Sequence, residues 1–404
     1  MFPILLFSLV FGLQADIAEK KLSLFDAFDK ALAKNERLLE AKEEIKAQLG
    51  VAKQSLSFVL PTLEGGGRIS EQIGFVAGLK IPVLNLSGIL GTQSAFKQLK
   101  SVEAGYDRKR EALLLDIANA YLAVLTQQQI LALAKTQHET SEKQLASATR
   151  KAALQEISIL DLKRAQILAA KTKVSIFNRE ADFKEALGQL AYFLGENARF
   201  ELEDFPEVLG LEDQELASLN ARAQKNRLDL KAKNIAIQAA WLGEKSAQFL
   251  FMPTLQFNAS LLLPIDQKQE WKLGLDLLVP FYDGGNRYGL ADTVSARLRQ
   301  EKFKKHLLER EISLAIQGAL IDIKRWKELY QIQQDLVDIS QAAFKSAENR
   351  YALGQASSLD LLEEQTRLFE AQKDLKEARF LLIQSRLRLS FVLGDPREVI
   401  LKNG

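Results

Sequence analysis

Two acidic side chains, Asp360 and Glu363, stand three residues apart in "YALGQASSLDLLEEQ" (351–365). On a helix that spacing puts both carboxylates on one face. Paired carboxylates divide acid and base roles when their surroundings push their pKa values apart. Such chemistry needs a nucleophile, a metal or a phosphate cradle beside it, and this stretch offers none. Acids just after a glycine break also suit a helix N-terminus, where negative charge meets the positive end of the macrodipole. A worn copy of the motif, "AALQEISILDLKRAQ", occupies 152–166 and keeps one acid, Asp161.

The rest of the chain does not add a catalytic constellation. It has two histidines and no cysteine in 404 residues, which removes disulfides, thiolate metal sites and cysteine nucleophiles together. His138 sits in a seam of Ala, Leu and Ser and reads as a packed residue, since metal sites need clustered ligands. No Gly-rich phosphate loop or nucleophile elbow is present. The expectation is a protein that is not an enzyme and carries no cofactor. Lys+Arg 54 against Asp+Glu 52 leaves a net charge of +2, so no bulk charge favours nucleic acid as a partner.

The elements that place the acids are written twice. A shift of 199 superposes Ser158-Ile159-Leu160-Asp161 on Ser357-Ser358-Leu359-Asp360 and Leu194-Gly195 on Leu393-Gly394. Earlier in each half, a shift of 192 superposes Pro61-Thr62-Leu63 on Pro253-Thr254-Leu255. The reading is a signal peptide (1–15), a first repeat (16–200), an acidic linker (201–215) and a second repeat (216–404). The signal rests on the apolar run Phe2 to Leu13, too short to span a bilayer and the right size for export, although no Lys or Arg precedes it.

Each repeat holds long heptad helices. Ile117, Ala120, Val124, Gln127, Leu131, Ala134, His138 and Ser141 step 3 and 4 alternately, and the same steps recur from Ile316, which is coiled-coil spacing. A helix from 286 to 348 would run roughly 95 Å and needs partners along its length. Each repeat also holds a strand pair, at 62–70 and 73–83 and at 254–264 and 271–281. Leu255, Phe257, Ala259, Leu261 and Leu263 alternate with polar residues, as do Trp271, Leu273, Leu275, Leu277, Val279 and Phe281. In the first pair Ile73, Phe75, Ala77, Leu79, Ile81 and Val83 share a face. Strands of this length cross a bilayer when tilted in a β-barrel, and Trp271, Phe281 and Tyr282 stand where an interfacial aromatic girdle would be. A small soluble sheet is the other reading. Four strands cannot close a barrel, so spanning requires several chains to pool them.

These features together resemble the TolC-type outer-membrane efflux proteins: the duplicated halves, "LPTL" and "MPTL" before the strand pairs, "VPFYDGGNR" after the second, and "YALGQASSLDLLEEQ" with the terminal "LG". The resemblance implies a mostly α fold with a small β part, two tandem repeats, an α-helical barrel and a trimeric 12-stranded β-barrel. It implies a homotrimer in the outer membrane of a Gram-negative bacterium, with its helical part in the periplasm. The trimer would be a passive conduit for efflux or type I secretion, docked to a periplasmic adaptor (membrane fusion) protein and an inner-membrane transporter. Asp360 and Glu363 would form acidic rings at the periplasmic aperture. Asp161 and Tyr351 match positions that hold the aperture shut, although the family's partnering arginine falls at Ala356. Leu353, Gly354 and Ser357, with Leu154, Gln155 and Ser158, match the tips that face the adaptor. Gln155 stands where the second copy has glycine, and the steric cost of a side chain at positive φ predicts a differently shaped first tip. A soluble coiled-coil scaffold is the alternative; it would need the heptads but neither signal nor strands.

Overall fold

The computed structural model describes residues 21–69, 73–196, 201–206, 214–264 and 268–394. The expected signal segment, 1–15, lies outside them. The first half runs α1 (Leu24–Lys34), α2 (Glu36–Ser55), β1 (Thr62–Ile69), β2 (Ile73–Leu84), α3 (Leu86–Ala153) and α4 (Ile159–Leu194). The second runs α5 (Leu216–Asn226), α6 (Leu228–Gln248), β3 (Thr254–Pro264), β4 (Glu270–Leu278), α7 (Asn286–Ala352) and α8 (Ser358–Leu393).

The 68 residues of α3 and 67 of α7 contain no proline and extend about 100 Å at the helical rise. Their heptad seams are buried where they meet α4 and α8: Ile117, Val124, Ala134 and Ser141 in α3, and Ile316, Ala319 and Ile323 in α7. His138 lies in a polar layer of the α3–α4 seam, its Nδ1 3.0 Å from Thr172 Oγ1, which is 2.8 Å from Ser141 Oγ. No helix among the described residues is long and apolar enough to cross a membrane.

The helices stand side by side. In the half nearer the strands the order is α2-α3-α6-α7; beyond α2 and α6, α4 and α8 take their places. One edge of this ribbon is therefore α2 with α4, and the other is α7. The four strands form one antiparallel sheet in the order β1-β2-β3-β4, so β1 and β4 are its edges and connect to the edge helices.

The register lines up the two periodicities. Leu63 faces Leu79, Leu79 faces Ala259, and Ala259 faces Leu273, giving one apolar row across all four strands. The opposite face is mostly polar, although Val76, Leu262 and Leu278 also lie on it. Lys80 Nζ meets Glu64 at 2.8 Å, Gln256 Nε2 donates to Asn258 Oδ1 at 2.6 Å, and the Asn258 amide donates to Asp276. The apolar face packs on no helix: Leu273 is 71% and Leu275 66% exposed. That removes the small soluble sheet as a reading, because such a sheet would cover these side chains.

Two details depart from the sequence pattern. A register shift between Pro82 and Leu84 puts Leu84, not Val83, opposite Leu255; the proline lacks the N–H that the ladder needs there, and a bulge results. β4 ends at Leu278, so Val279 and Phe281 lie beyond it. Pro280 cannot continue a ladder. Phe281 and Tyr282 instead form an exposed aromatic step before α7.

Candidate functional site at the helical tips

The two breaks between long helices have one geometry. After Lys151 the Glu156 N–H reaches back to the Lys151 carbonyl at 2.9 Å, and the Gln155 N–H to that of Ala152 at 3.0 Å. After Arg350 the Gln355 and Gly354 amides make the same bonds, at 2.8 and 3.1 Å. This is the Schellman pattern, which satisfies the last carbonyls of a helix and requires a left-handed residue. Gly354 supplies it at φ 72°, and Gln155 adopts it at φ 59° despite its side chain. The expectation of a differently shaped first tip is therefore wrong: two reciprocal hydrogen bonds outweigh a left-handed cost of about 1–2 kcal/mol. Gln155→Gly is expected to slow hydrogen exchange at the Glu156 amide by several-fold, because it removes that cost without touching the bonds.

Serines start the next helices. The Asp161 and Asp360 amides donate to Ser158 and Ser357 Oγ at 3.1 and 3.2 Å. Asp360 completes a capping box by accepting from the Ser357 N–H at 3.0 Å. The hydrogen bond from the Ser357 N–H, then one from its hydroxyl, holds the Asp360 carboxyl below the usual range. Glu363 lies 3.6 Å from Arg367 and helps line a groove of about 650 Å³ between α4 and α8, with Arg164, Ile167 and Phe369. Asp360 and Glu363 are both exposed. Leu154 and Leu353 project into solvent at the two breaks.

The tips are tied to each other within one chain. Ser358 Oγ donates to Asp161 Oδ1 at 2.6 Å, and Arg164 stands 3.4 Å from the same oxygen. The hydrogen bond from Ser358, then that from Ser158, keeps the Asp161 carboxyl low. Lys151 Nζ lies 5.0 Å from the centre of the Tyr351 ring, a cation–π distance. Burial, with the Asp161 charge behind it, raises the Tyr351 hydroxyl. The sequence singled out Asp161 and Tyr351 but missed Ser358 and Lys151. A signal for Ser358 existed: it replaces the Ile159 of the first copy with a spare hydroxyl.

A second constellation, absent from the sequence reading, closes the far end of α8. Arg108 donates to the Phe391 carbonyl at 3.2 Å, with its guanidinium 3.6 Å from the ring centre. Arg227 donates to the Val392 carbonyl at 3.1 Å and grips Asp229 through both side-chain oxygens. Glu111 pairs with Arg108 at 3.0 Å. Two cations thus complement the negative end of the α8 macrodipole. Burial raises Asp229, but the Arg227 hydrogen bonds and charge, with Arg108, hold it low on balance.

Long paired helices, tips joined by hydrogen bonds, and a sheet apolar on one bare face and polar on the other define a membrane-anchored channel subunit. The family model for outer membrane efflux proteins matches residues 27–196 and 219–395, and the chain belongs to that family. The toluene efflux pump outer membrane protein TtgC of Pseudomonas putida is 24% identical over 82% of this chain and 70% of its own. Outer membrane protein TolC of Vibrio cholerae is 22% identical over 93% and 91%. The crystal structure of outer membrane protein VceC, also from Vibrio cholerae, superposes with a TM-score of 0.80 at 17% identity, covering 92% of this chain and 96% of that one. The protein is accordingly an outer-membrane channel of the kind used in tripartite efflux and export, a conduit rather than an enzyme, with its helices on the periplasmic side.

Proposed function

We propose that three copies assemble into one conduit, and that its periplasmic tips receive an adaptor protein fed by an inner-membrane transporter. The observation that carries the trimer is the state of the two edges. Leu307, Leu314 and Ile321 on α7, and Val174, Phe177 and Tyr192 on α4, are exposed apolar side chains on the edge helices. β1 and β4 leave their outer backbone groups without a strand. In lipid such an edge must be paired, and four strands from each of three copies make 12. Native mass spectrometry of detergent-extracted protein tests this: a trimer is expected, and a stable monomer would refute it. The two half-units, 16–200 and 216–404, would then alternate around a ring of six, joined by the 201–215 linker, with 1–15 as the export signal.

At the tips, Leu154 and Leu353 offer the apolar contacts, around Gln155, Gly354, Ser158 and Ser357, on which an adaptor would seat. The Ser358–Asp161 bond and the Lys151–Tyr351 contact would hold the aperture shut, doing the work of the arginine missing at Ala356. Asp360 and Glu363, repeated three times, would ring the aperture and attract cations. Neutralising them as Asp360→Asn with Glu363→Gln keeps the cap geometry, so a several-fold fall in cation over anion permeability in planar bilayers is expected; unchanged selectivity would remove the rings. Relatives named for efflux of toluene and antibiotics and for export of pyoverdine favour small organic molecules as cargo. Accumulation of a fluorescent organic substrate in cells lacking the protein tests that reading.

A further inference from the structure

Residues 201–206 form a strap pinned to Leu22, whose N–H donates to the Glu201 carbonyl at 2.7 Å and whose carbonyl accepts from the Glu203 N–H at 3.1 Å. Phe205 of the strap packs on Tyr121 of α3, with ring centres 6.1 Å apart. Between the strap, α3 and α8 lies a cleft of about 540 Å³, lined also by Tyr330 of α7. Its floor is apolar: Leu122, Leu125 and Leu382 line it and are buried. Its charge is mostly positive. Lys376 and Arg379, three residues apart and so on one face of α8, line it with no ion pair or hydrogen bond among the described residues. Arg386 lines it too, and Asp204 is the one acid among the described lining residues. The Tyr330 hydroxyl accepts from Gln334 Nε2 at 3.3 Å, which leaves its proton to give.

On the other side of α8 the same kind of charge is answered within the chain. In the cleft there, about 660 Å³ in volume, Arg108 meets Glu111, Arg227 meets Asp229 and Arg388 meets Asp322. Two unpaired cations alone would be an ordinary wet surface. Lys376 and Arg379 differ because an apolar hollow lies beside them, within the range of roughly 300–1,000 Å³ that holds small organic ligands. An apolar body in the hollow would displace water from the leucines. An acid group at its end would meet both cations, and the planar fork of Arg379 matches a carboxylate. The cleft sits where α3 meets α8, in the middle of the helical ribbon, so pairing of the ribbon's outer edges leaves it open.

We propose that this cleft binds an amphipathic organic anion, an apolar body carrying one carboxylate, with Lys376 and Arg379 on the acid and Leu122, Leu125 and Leu382 beneath the body. Such a ligand touches α3 from the first half, α8 from the second and the strap between them. It therefore clamps the two halves together and stabilises the folded chain by mass action. The site is separate from the tips and does not depend on how many copies assemble.

Equilibrium dialysis of radiolabelled octanoate against the protein held in lipid nanodiscs, with empty nanodiscs as the blank, tests the proposal. Octanoate should bind saturably, one per subunit, and raise the thermal unfolding midpoint. Acetate, which is the head alone, and octanamide, which has the body without the charge, should each bind about tenfold more weakly or worse. Lys376→Gln with Arg379→Gln should lose octanoate to a similar extent, while Lys376→Arg with Arg379→Lys should keep it within a few-fold. Neither side chain is buried, and melting without ligand checks that the variants fold. Arg367→Gln with Lys373→Gln, a cationic pair elsewhere on α8, should bind octanoate as the parent does. No saturable binding, equal affinity for octanamide, or undiminished binding without Lys376 and Arg379 would overturn the proposal. Binding that emerges only in a Glu207→Gln, Glu212→Gln, Asp213→Asn variant would also overturn it, because the chain's own acids would then be what the two cations meet.

Discussion

Arg227→Ala is expected to cost the fold about 3–5 kcal/mol, the range for removing one partner of a buried ion pair. The loss is large because two things go at once. Asp229 loses its two-pronged partner and keeps only Arg108 at 3.7 Å, and the Val392 carbonyl loses its donor. The Arg227 backbone also lies close against Gly394, where an added Cβ would come within 3.0 Å. Chemical denaturation of the detergent-held protein checks the magnitude. Acid should act on the same place. The folded pKa of Asp229 lies below its unfolded value, so its contribution is whole above the ordinary aspartate range and fades as pH falls through the folded value. In Arg227→Ala that acid-dependent component should shrink.

The second large effect is expected on the sheet. Leu275→Arg puts a charge on the bare apolar face near the middle of β4 and should cost about 2–4 kcal/mol in a bilayer. Gly274→Arg, one residue away, points to the polar face, where a new Cβ meets nothing within 4 Å. It should fold and insert nearly as the parent does. Guanidinium titration of protein refolded into vesicles measures both. Equal costs would mean that the two faces do not see different media.

The parts legible in the sequence are those with a short repeat distance. The heptad seam from Ile117 and the alternation from Leu255 are local periodicities; burial follows the first, and cross-strand register aligns the second into one apolar row. The hidden parts depend on what lies across the fold. Nothing near Arg227 announces that its guanidinium ends α8 more than a hundred positions later. Lys151 and Tyr351 meet because two tips converge, which no spacing records. Gln155 misled because residue type was weighed without the two backbone bonds that hold its turn. Val83 misled because a proline beside it let the ladder slip by one. Of the tip residues, Asp161 is legible through the internal repeat and the family resemblance, whereas its partner Ser358 has no counterpart hydroxyl in the first copy to mark it.

Everything turns on the four strands facing lipid on one side and water on the other. The most direct measurement is a spin-label scan of β4, one cysteine at a time from Trp271 to Leu278, in protein reconstituted into bilayers. Oxygen, which partitions into lipid, should reach labels at 271, 273, 275 and 277, while a water-soluble nickel complex should reach those at 272, 274, 276 and 278. Access by the nickel complex at every position, or no alternation at all, would contradict a membrane-spanning strand.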